Sequence, residues 1–169
     1  MVRRILTGDD PRLRVKSREV TQFNQELKAL IQDMIDTMRA AKGIGLAAIQ
    51  IGVPFRVIVV ELPPEEGNGK SRVLALVNPE IVKMEGEEET EEGCLSLPGI
   101  VGDVKRAAYV EVRARTPNGK KVRIKASGLL SRVLQHEIDH TNGILFTDRI
   151  SDPAKIRYVE AEEVGAGEI

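Results

Sequence analysis

The chain has 169 residues, of which 41% are hydrophobic, and this length suits one domain with a single hydrophobic core. The 25 Lys and Arg residues are balanced by 26 Asp and Glu residues, and aromatic residues make up only 3% of the sequence. We therefore expect no specific nucleic-acid binding, and the lack of an apolar run of roughly 20 residues predicts a cytoplasmic protein without membrane association.

The first predicted element is an amphipathic helix. Thr21 or Asn24 can cap its start, and Gly43 follows its end. Seven apolar residues recur at helical spacing between these signals: Phe23, Leu27, Leu30, Ile31, Met34, Ile35 and Met38.

Two β-branched runs after this helix predict buried strands, Arg56 to Val60 and Val73 to Val77. The segment Pro63 to Lys70 between them is rich in turn residues and is interpreted as a surface loop.

Further along, Tyr109 to Arg115 and Lys121 to Ala126 alternate apolar with charged residues, and Thr116 to Gly119 between them is typical of a hairpin turn. Its basic face is interpreted as solvated rather than RNA-binding, and it carries Arg113, Arg115, Lys121, Arg123 and Lys125.

A second helix is predicted from Ser127, its candidate cap, to Asn142-Gly143, a stop signal. Helical geometry places one apolar stripe on it that includes both histidines of the chain: Leu129, Val133, His136 and His140. Arg132, Gln135 and Asp139 are expected to point away from the interior.

The segment His136 to His140 has the spacing at which two imidazoles on successive helical turns bind one metal ion. Glu137 is rotated to the side, where it can reach a water activated by that metal. The alternative is a pair of core histidines with a flanking glutamate. A third ligand would decide between the two interpretations.

Cys94 is the only cysteine, so it is a core residue, a nucleophile or a metal ligand, and no intrachain disulfide can form. A catalytic zinc-like site needs three protein ligands, and Cys94 is the only other soft donor in the chain. The acidic run that precedes it is expected to be a solvated loop or strand edge. Its last member, Glu92, can accept a hydrogen bond from a ligand histidine or pair with Arg106.

Three segments together resemble peptide deformylases: Gly43 to Gln50, Glu92 to Ser96 and Gln135 to His140. The similarity covers about residues 1 to 150. It implies an α+β fold, with antiparallel sheets packed around a central metal-binding helix and an N-terminal helix, as one catalytic domain over residues 1–169. It also implies a hydrolase that removes the formyl group from the N-terminal formylmethionine of new proteins and releases formate.

The resemblance implies a role for each matched residue. Cys94, His136 and His140 bind the metal, Glu137 is general base and then general acid, and Gln50 with the Leu95 N–H stabilises the oxyanion. The substrate backbone is expected along the strand edge formed by Gly43, Ile44 and Gly45. From their helical positions, Leu129 and Val133 are expected to line the methionine pocket together with Ile44, the alternative being that they are only core residues.

The cofactor is expected to be one divalent ion. A Cys-His-His set looks like a zinc site, whereas the resemblance implies Fe²⁺ in the cell, with nickel or cobalt as working substitutes. The expected partners are an N-formylmethionyl peptide or nascent chain. Some family members carry a longer basic C-terminal helix associated with ribosome docking, whereas the segment after Ser151 is short and acidic, so at most a weak ribosome contact is expected.

The sequence departs from the family pattern at Ile49, where proline is usual, and at Thr141, where leucine is usual. We expect the Ile49 side chain to pack among Leu46, Ile51 and Val53. Three other classes stay open: a zinc endopeptidase, a thiol hydrolase with Cys94 as nucleophile, and a metal-stabilised binding module without activity.

Overall fold

A computed structural model describes residues 1–64, 71–160 and 169. The described part contains two α-helices, α1 (Gln25–Ala40) and α2 (Gly128–Thr141). The strands that accompany them are β1 (Gly45–Ala47), β2 (Val57–Leu62), β3 (Arg72–Glu85), β4 (Glu88–Cys94), β5 (Leu97–Arg106), β6 (Tyr109–Arg115), β7 (Lys121–Ser127) and β8 (Ile156–Tyr158). The expected α+β class is confirmed.

The strands form two antiparallel sheets. One has five strands in the order β1-β2-β3-β6-β7, and the other has three in the order β4-β5-β8. Helix α2 packs on the five-stranded sheet, and side chains from β4 and β5 bond to its other side. The helix is therefore covered on both sides, as expected for a central helix.

Strand β2 is buried on both faces, because the two helices cover opposite sides of the sheet. Ile58 and Val60 belong to the core shared with α2, whereas Val57 and Val59 belong to the core shared with α1. This alternation follows from the two-residue period of a strand and explains why the run is apolar throughout.

The N-terminal helix α1 begins where one of the two candidate caps predicts. Asn24 is the cap, and its side-chain oxygen accepts a hydrogen bond from the Leu27 N–H at 3.0 Å. At the other end the left-handed residue is Lys42, with φ 59°, and the Gly43 N–H donates to the Met38 carbonyl at 3.0 Å.

The prediction that Gln135 and Asp139 point away from the interior is wrong. They are only 3% and 6% exposed. The three-stranded sheet covers this side of α2, where the Gln135 amide bonds to the Ala107 backbone and Asp139 accepts from Arg106 at 2.6 Å. Arg132, half-buried, pairs with Glu88.

The expected packing of Ile49 is also wrong. Ile49 is buried, but it joins the core on the α2 side, whereas Leu46, Ile51 and Val53 pack on the α1 side. The cause is the short 3₁₀ turn Ala48–Ile51, which rotates successive side chains to different faces instead of keeping them together.

The hairpin of β6 and β7 lies where it was predicted, and Gly119 in its turn has φ 88°. On its basic face Arg113 pairs with Glu80 at 2.8 Å. Most of the acidic run before Cys94 lies in the edge strand β4, one of the two predicted possibilities, but its last member, Glu92, is buried rather than solvated. Residues 65–70 of the predicted loop and 161–168 of the acidic segment lie outside the described residues.

Candidate metal centre

Cys94, His136 and His140 come together in the interior, although they arise from β4 and from two successive turns of α2. Cys94 Sγ is 3.4 Å from His140 Nε2, which in turn is 3.2 Å from His136 Nε2. One donor atom from each residue lies within 4.8 Å of the other two, and all three residues are buried. The structure thus brings together the three ligands expected from the sequence.

These spacings fit a transition-metal ion. Metal–nitrogen bonds of about 2.05 Å and a metal–sulfur bond of about 2.3 Å, at tetrahedral angles, place two nitrogens about 3.3 Å apart and sulfur about 3.6 Å from nitrogen. The observed 3.2 Å and 3.4 Å are close to both values. Sulfur and imidazole nitrogen are also the donors that zinc and iron accept.

Glu137 is a buried carboxyl group that the described residues leave without a hydrogen-bond partner. Neither carboxylate oxygen has a hydrogen-bond partner among the described residues, although the side chain is completely buried. Burial raises the pKa of Glu137 to about 7. A buried carboxyl group of this kind is costly to maintain and is suited to exchange a proton near neutral pH.

Glu92 orients His136 from the side away from the cluster. Its Oε1 accepts a hydrogen bond from His136 Nδ1 at 2.9 Å. Burial alone would raise the pKa of Glu92, but hydrogen bonds from Arg106 and His136 outweigh it and lower the pKa to about 2. The ionised Glu92 holds the proton on Nδ1, so that Nε2 is the nitrogen that faces Cys94 and His140.

Arg106 connects the two buried carboxylates beside the cluster. It donates to both Glu92 oxygens, at 2.8 and 2.9 Å, and to Asp139 at 2.6 Å. Asp139 also accepts from Arg149, at 2.7 and 2.9 Å. The sequence suggested the Glu92–Arg106 pair, but it did not reveal Asp139, whose burial depends on the distant β5.

The two histidines differ in their electrostatic surroundings. Burial lowers the pKa of His136, but its bonds to Cys94 and Glu92 outweigh burial and raise the pKa to about 10. Burial, reinforced by the positive charges of His136 and Arg106, lowers the pKa of His140. His140 is therefore held neutral, which is the form that binds a metal.

Gln50 is fully buried next to Cys94. Its Oε1 accepts from the Ala47 N–H at 2.9 Å, which directs Nε2 towards Ser96 Oγ at 3.0 Å and Cys94 Sγ at 3.7 Å. Ser96 was not identified as a site residue, although it lies within one of the three motifs. The Leu95 N–H, the second expected donor, bonds to the Ile169 main-chain oxygen at 3.1 Å.

Gly45 lies at the edge of the five-stranded sheet and against Glu137. Strand β1 pairs with β2 on one side only. A Cβ atom at Gly45 would overlap Glu137 Oε2 and lie 3.0 Å from both Glu137 Cδ and Val133 Cγ1. The glycine is therefore needed for close approach.

The expected substrate-binding side chains also lie in one region. Half-buried Ile44 and Leu129 pack against the core cluster that contains Val133. In the described part of the chain, no helix is long and apolar enough to cross a membrane.

Comparison with known proteins places the chain in a family. The family model for polypeptide deformylase matches residues 2–155. The chain belongs to the polypeptide deformylase family. The peptide deformylase of Thermomicrobium roseum is 52% identical over 165 residues, which is 96% of this chain and 93% of that protein.

Solved structures agree with this assignment. A peptide deformylase from Legionella pneumophila superposes with a TM-score of 0.84 at 48% identity, covering 92% of this chain and 89% of its own. A peptide deformylase from Acinetobacter baumannii, solved with Met-Ala-Ser bound, superposes with a TM-score of 0.82 at 34% identity. The match covers 89% of this chain and 99% of that one. The family expected from the three motifs is confirmed, and with it a metal-dependent hydrolase that removes N-formyl groups.

Proposed function

We propose that this chain hydrolyses N-formylmethionyl peptides with Cys94, His136 and His140 as metal ligands and Glu137 as the proton carrier. The observation that carries the proposal is the unpartnered, fully buried carboxyl group of Glu137 beside three clustered donor atoms. A structural core would have paired this group or replaced it with an apolar side chain.

A divalent ion on these three donors would activate water at neutral pH and polarise the formyl oxygen. We propose Fe²⁺ as the ion in the cell, with nickel, cobalt or zinc able to occupy the same donors, since thiolate and imidazole suit all four. Activity that decays in air but persists after nickel replaces iron supports this choice. Full, oxygen-stable activity with zinc and none with iron contradicts it.

Glu137 serves both halves of the reaction. It takes a proton as water attacks the formyl carbon, and it then delivers that proton to the departing amino group when the C–N bond breaks. Formate and a peptide with a free amino terminus result. The pKa of about 7 that burial gives this carboxyl suits a group that must accept and donate in turn.

Gln50 and the Leu95 N–H are the proposed stabilisers of the negative charge that grows on the formyl oxygen. Gln50 cannot rotate freely, because Ala47 and Ser96 hold both ends of its amide. A donor fixed in advance in this way is typically worth about 2.7 to 4 kcal/mol.

The substrate is proposed to add to the edge strand β1, whose neighbour on one side is β2. Backbone hydrogen bonds to Gly43, Ile44 and Gly45 would hold the peptide with little selectivity for the side chains that follow the methionine. Leu129 and Val133 would accept the methionine. The structure of the A. baumannii relative with Met-Ala-Ser supports this substrate class. In the cell the partner would be the formylated nascent chain, met near the ribosome.

The proposal is tested by measuring formate released from formyl-Met-Ala, with unformylated Met-Ala-Ser as control substrate. Formate release that a chelator abolishes, without cleavage of the control, is the expected result. Cleavage of unformylated peptides would indicate an endopeptidase. Activity that survives the chelator would indicate a thiol hydrolase in which Cys94, paired with His140, is the nucleophile.

A further inference from the structure

Ile169 lies inside the region assigned to the substrate. Its side chain is only 5% exposed. It belongs to the core cluster that contains Ile49 and Val133, against which Ile44 and Leu129 pack. Three residues of this cluster or packed against it, Val133, Ile44 and Leu129, are the proposed lining of the methionine pocket.

The main chain of Ile169 bonds to a proposed oxyanion donor of the same site. Its main-chain oxygen accepts a hydrogen bond from the Leu95 N–H at 3.1 Å. Leu95 directly follows the ligand Cys94, and its N–H is a proposed donor to the formyl oxygen. One residue thus combines a buried apolar side chain in the core cluster shared with the pocket residues and a main-chain oxygen bonded to the Leu95 N–H. A formylmethionyl group would present the same two features, an apolar side chain and an oxygen acceptor.

We propose that Ile169 is a built-in competitive ligand of the substrate site, so that substrate binds only after Ile169 leaves. The proposal rests on the function proposed above, because that function assigns the pocket and the Leu95 N–H to the substrate. Bound Ile169 and bound formylmethionine exclude one another, since both need the same N–H and the same apolar volume.

The consequence is a raised KM with an unchanged kcat. A tethered ligand is present at an effective concentration on the order of millimolar, so even a weak single-residue contact competes with substrate. Apparent KM is multiplied by a factor of one plus the ratio of molecules with Ile169 bound to molecules with Ile169 released. We expect that releasing Ile169 lowers KM by about threefold or more.

The test compares Ile169→Asp and Ile169→Ala with two controls. The aspartate variant places a charge in the apolar pocket, and the alanine variant only removes contacts. Ile169→Leu keeps an apolar side chain of the same size. Tyr158→Asp adds the same carboxylate at a side chain that is 82% exposed.

Two measurements separate this proposal from the proposed function. Steady-state kinetics with formyl-Met-Ala give KM and kcat, and calorimetry of Met-Ala-Ser binding to the same metal-loaded proteins gives a Kd that needs no turnover. We expect both KM and Kd to fall by about threefold or more in Ile169→Asp and Ile169→Ala, and to stay at wild-type values in both controls.

Unchanged KM and Kd in Ile169→Asp would overturn the proposal. So would a lower kcat with unchanged KM, which is the signature of a structural residue, or a KM effect that grows with protein concentration, which would place the ligand on another molecule. If no variant releases formate, the proposed function fails, while the Kd comparison still decides whether Ile169 occupies the peptide site.

Discussion

Gly45 and Glu137 are packed so closely that a side chain on the first would displace the second. A Cβ atom at Gly45 would overlap Glu137 Oε2 and lie 3.0 Å from Val133 Cγ1. Strand β1 and the Glu137 carboxyl group are therefore in direct contact, and the position of the carboxyl group depends on the absence of a side chain at Gly45.

Gly45→Ala should lower kcat by about tenfold to a hundredfold, because a shift of about 1 Å in a catalytic group has effects of this size. The three atoms nearest to a Cβ at Gly45 belong to Glu137 and Val133 and not to a proposed metal ligand, so metal content should equal that of the wild type. The measurement is kcat together with metal analysis of the purified variant. A kcat within twofold of wild type would show that Glu137 tolerates the displacement.

Glu137→Gln should separate proton transfer from metal binding. The amide keeps the shape of the side chain but cannot accept a proton, so we expect a loss of at least about a hundredfold in kcat with metal retained. Cys94→Ala and His140→Ala should instead lose the metal. Near wild-type turnover in Glu137→Gln would mean that another group carries the proton.

The buried pair of Glu92 and Arg106 should control both stability and metal affinity. Arg106→Ala leaves the Glu92 carboxylate buried without its main partner, and we expect a loss of about 3 to 5 kcal/mol in the free energy of unfolding. Glu92→Gln weakens the bond that orients His136, so metal affinity should fall by about tenfold to a hundredfold. Urea unfolding and metal titration measure the two effects.

An exposed ion pair supplies the control for this experiment. Arg113 and Glu80 are 2.8 Å apart, and their side chains are 62% and 60% exposed. Arg113→Ala should cost less than about 1 kcal/mol and leave metal affinity unchanged. Equal losses in Arg106→Ala and Arg113→Ala would contradict the importance given to the buried pair.

Ile49→Pro should leave kcat within about threefold. The 3₁₀ turn is already held by the burial of Ile49, and Gln50 is fixed by the Ala47 N–H and Ser96, so restricting the backbone adds little. Kinetics and thermal unfolding of the variant check this. A gain of tenfold or more in kcat would show that the natural loop is mobile.

The sequence predicted those features that depend on local pattern. The α1 helix with its Asn24 cap, the β6–β7 hairpin and the doubly buried β2 all follow from periodicity and turn residues. The ligand cluster followed from the spacing of the histidines, the single cysteine and the family motifs.

Features that depend on distant parts of the chain could not be predicted. Asp139 and Gln135 look exposed on an isolated helix, and they are buried because Arg106 at the end of β5 and the following Ala107 backbone cover that side. Ile49 was assigned to the wrong core because a 3₁₀ turn does not keep neighbouring apolar residues on one face. The approach of Ile169 to Leu95 has no signal in the local sequence.

The most direct test of the central claim is formate release by wild-type protein that has been stripped of metal and then given one equivalent of Fe²⁺ without oxygen. We expect no formate from the stripped protein, recovery with one equivalent, and no recovery in Glu137→Gln although it binds the same amount of metal. Formate release from stripped protein, or full recovery in Glu137→Gln, would contradict a site built from Cys94, His136, His140 and Glu137.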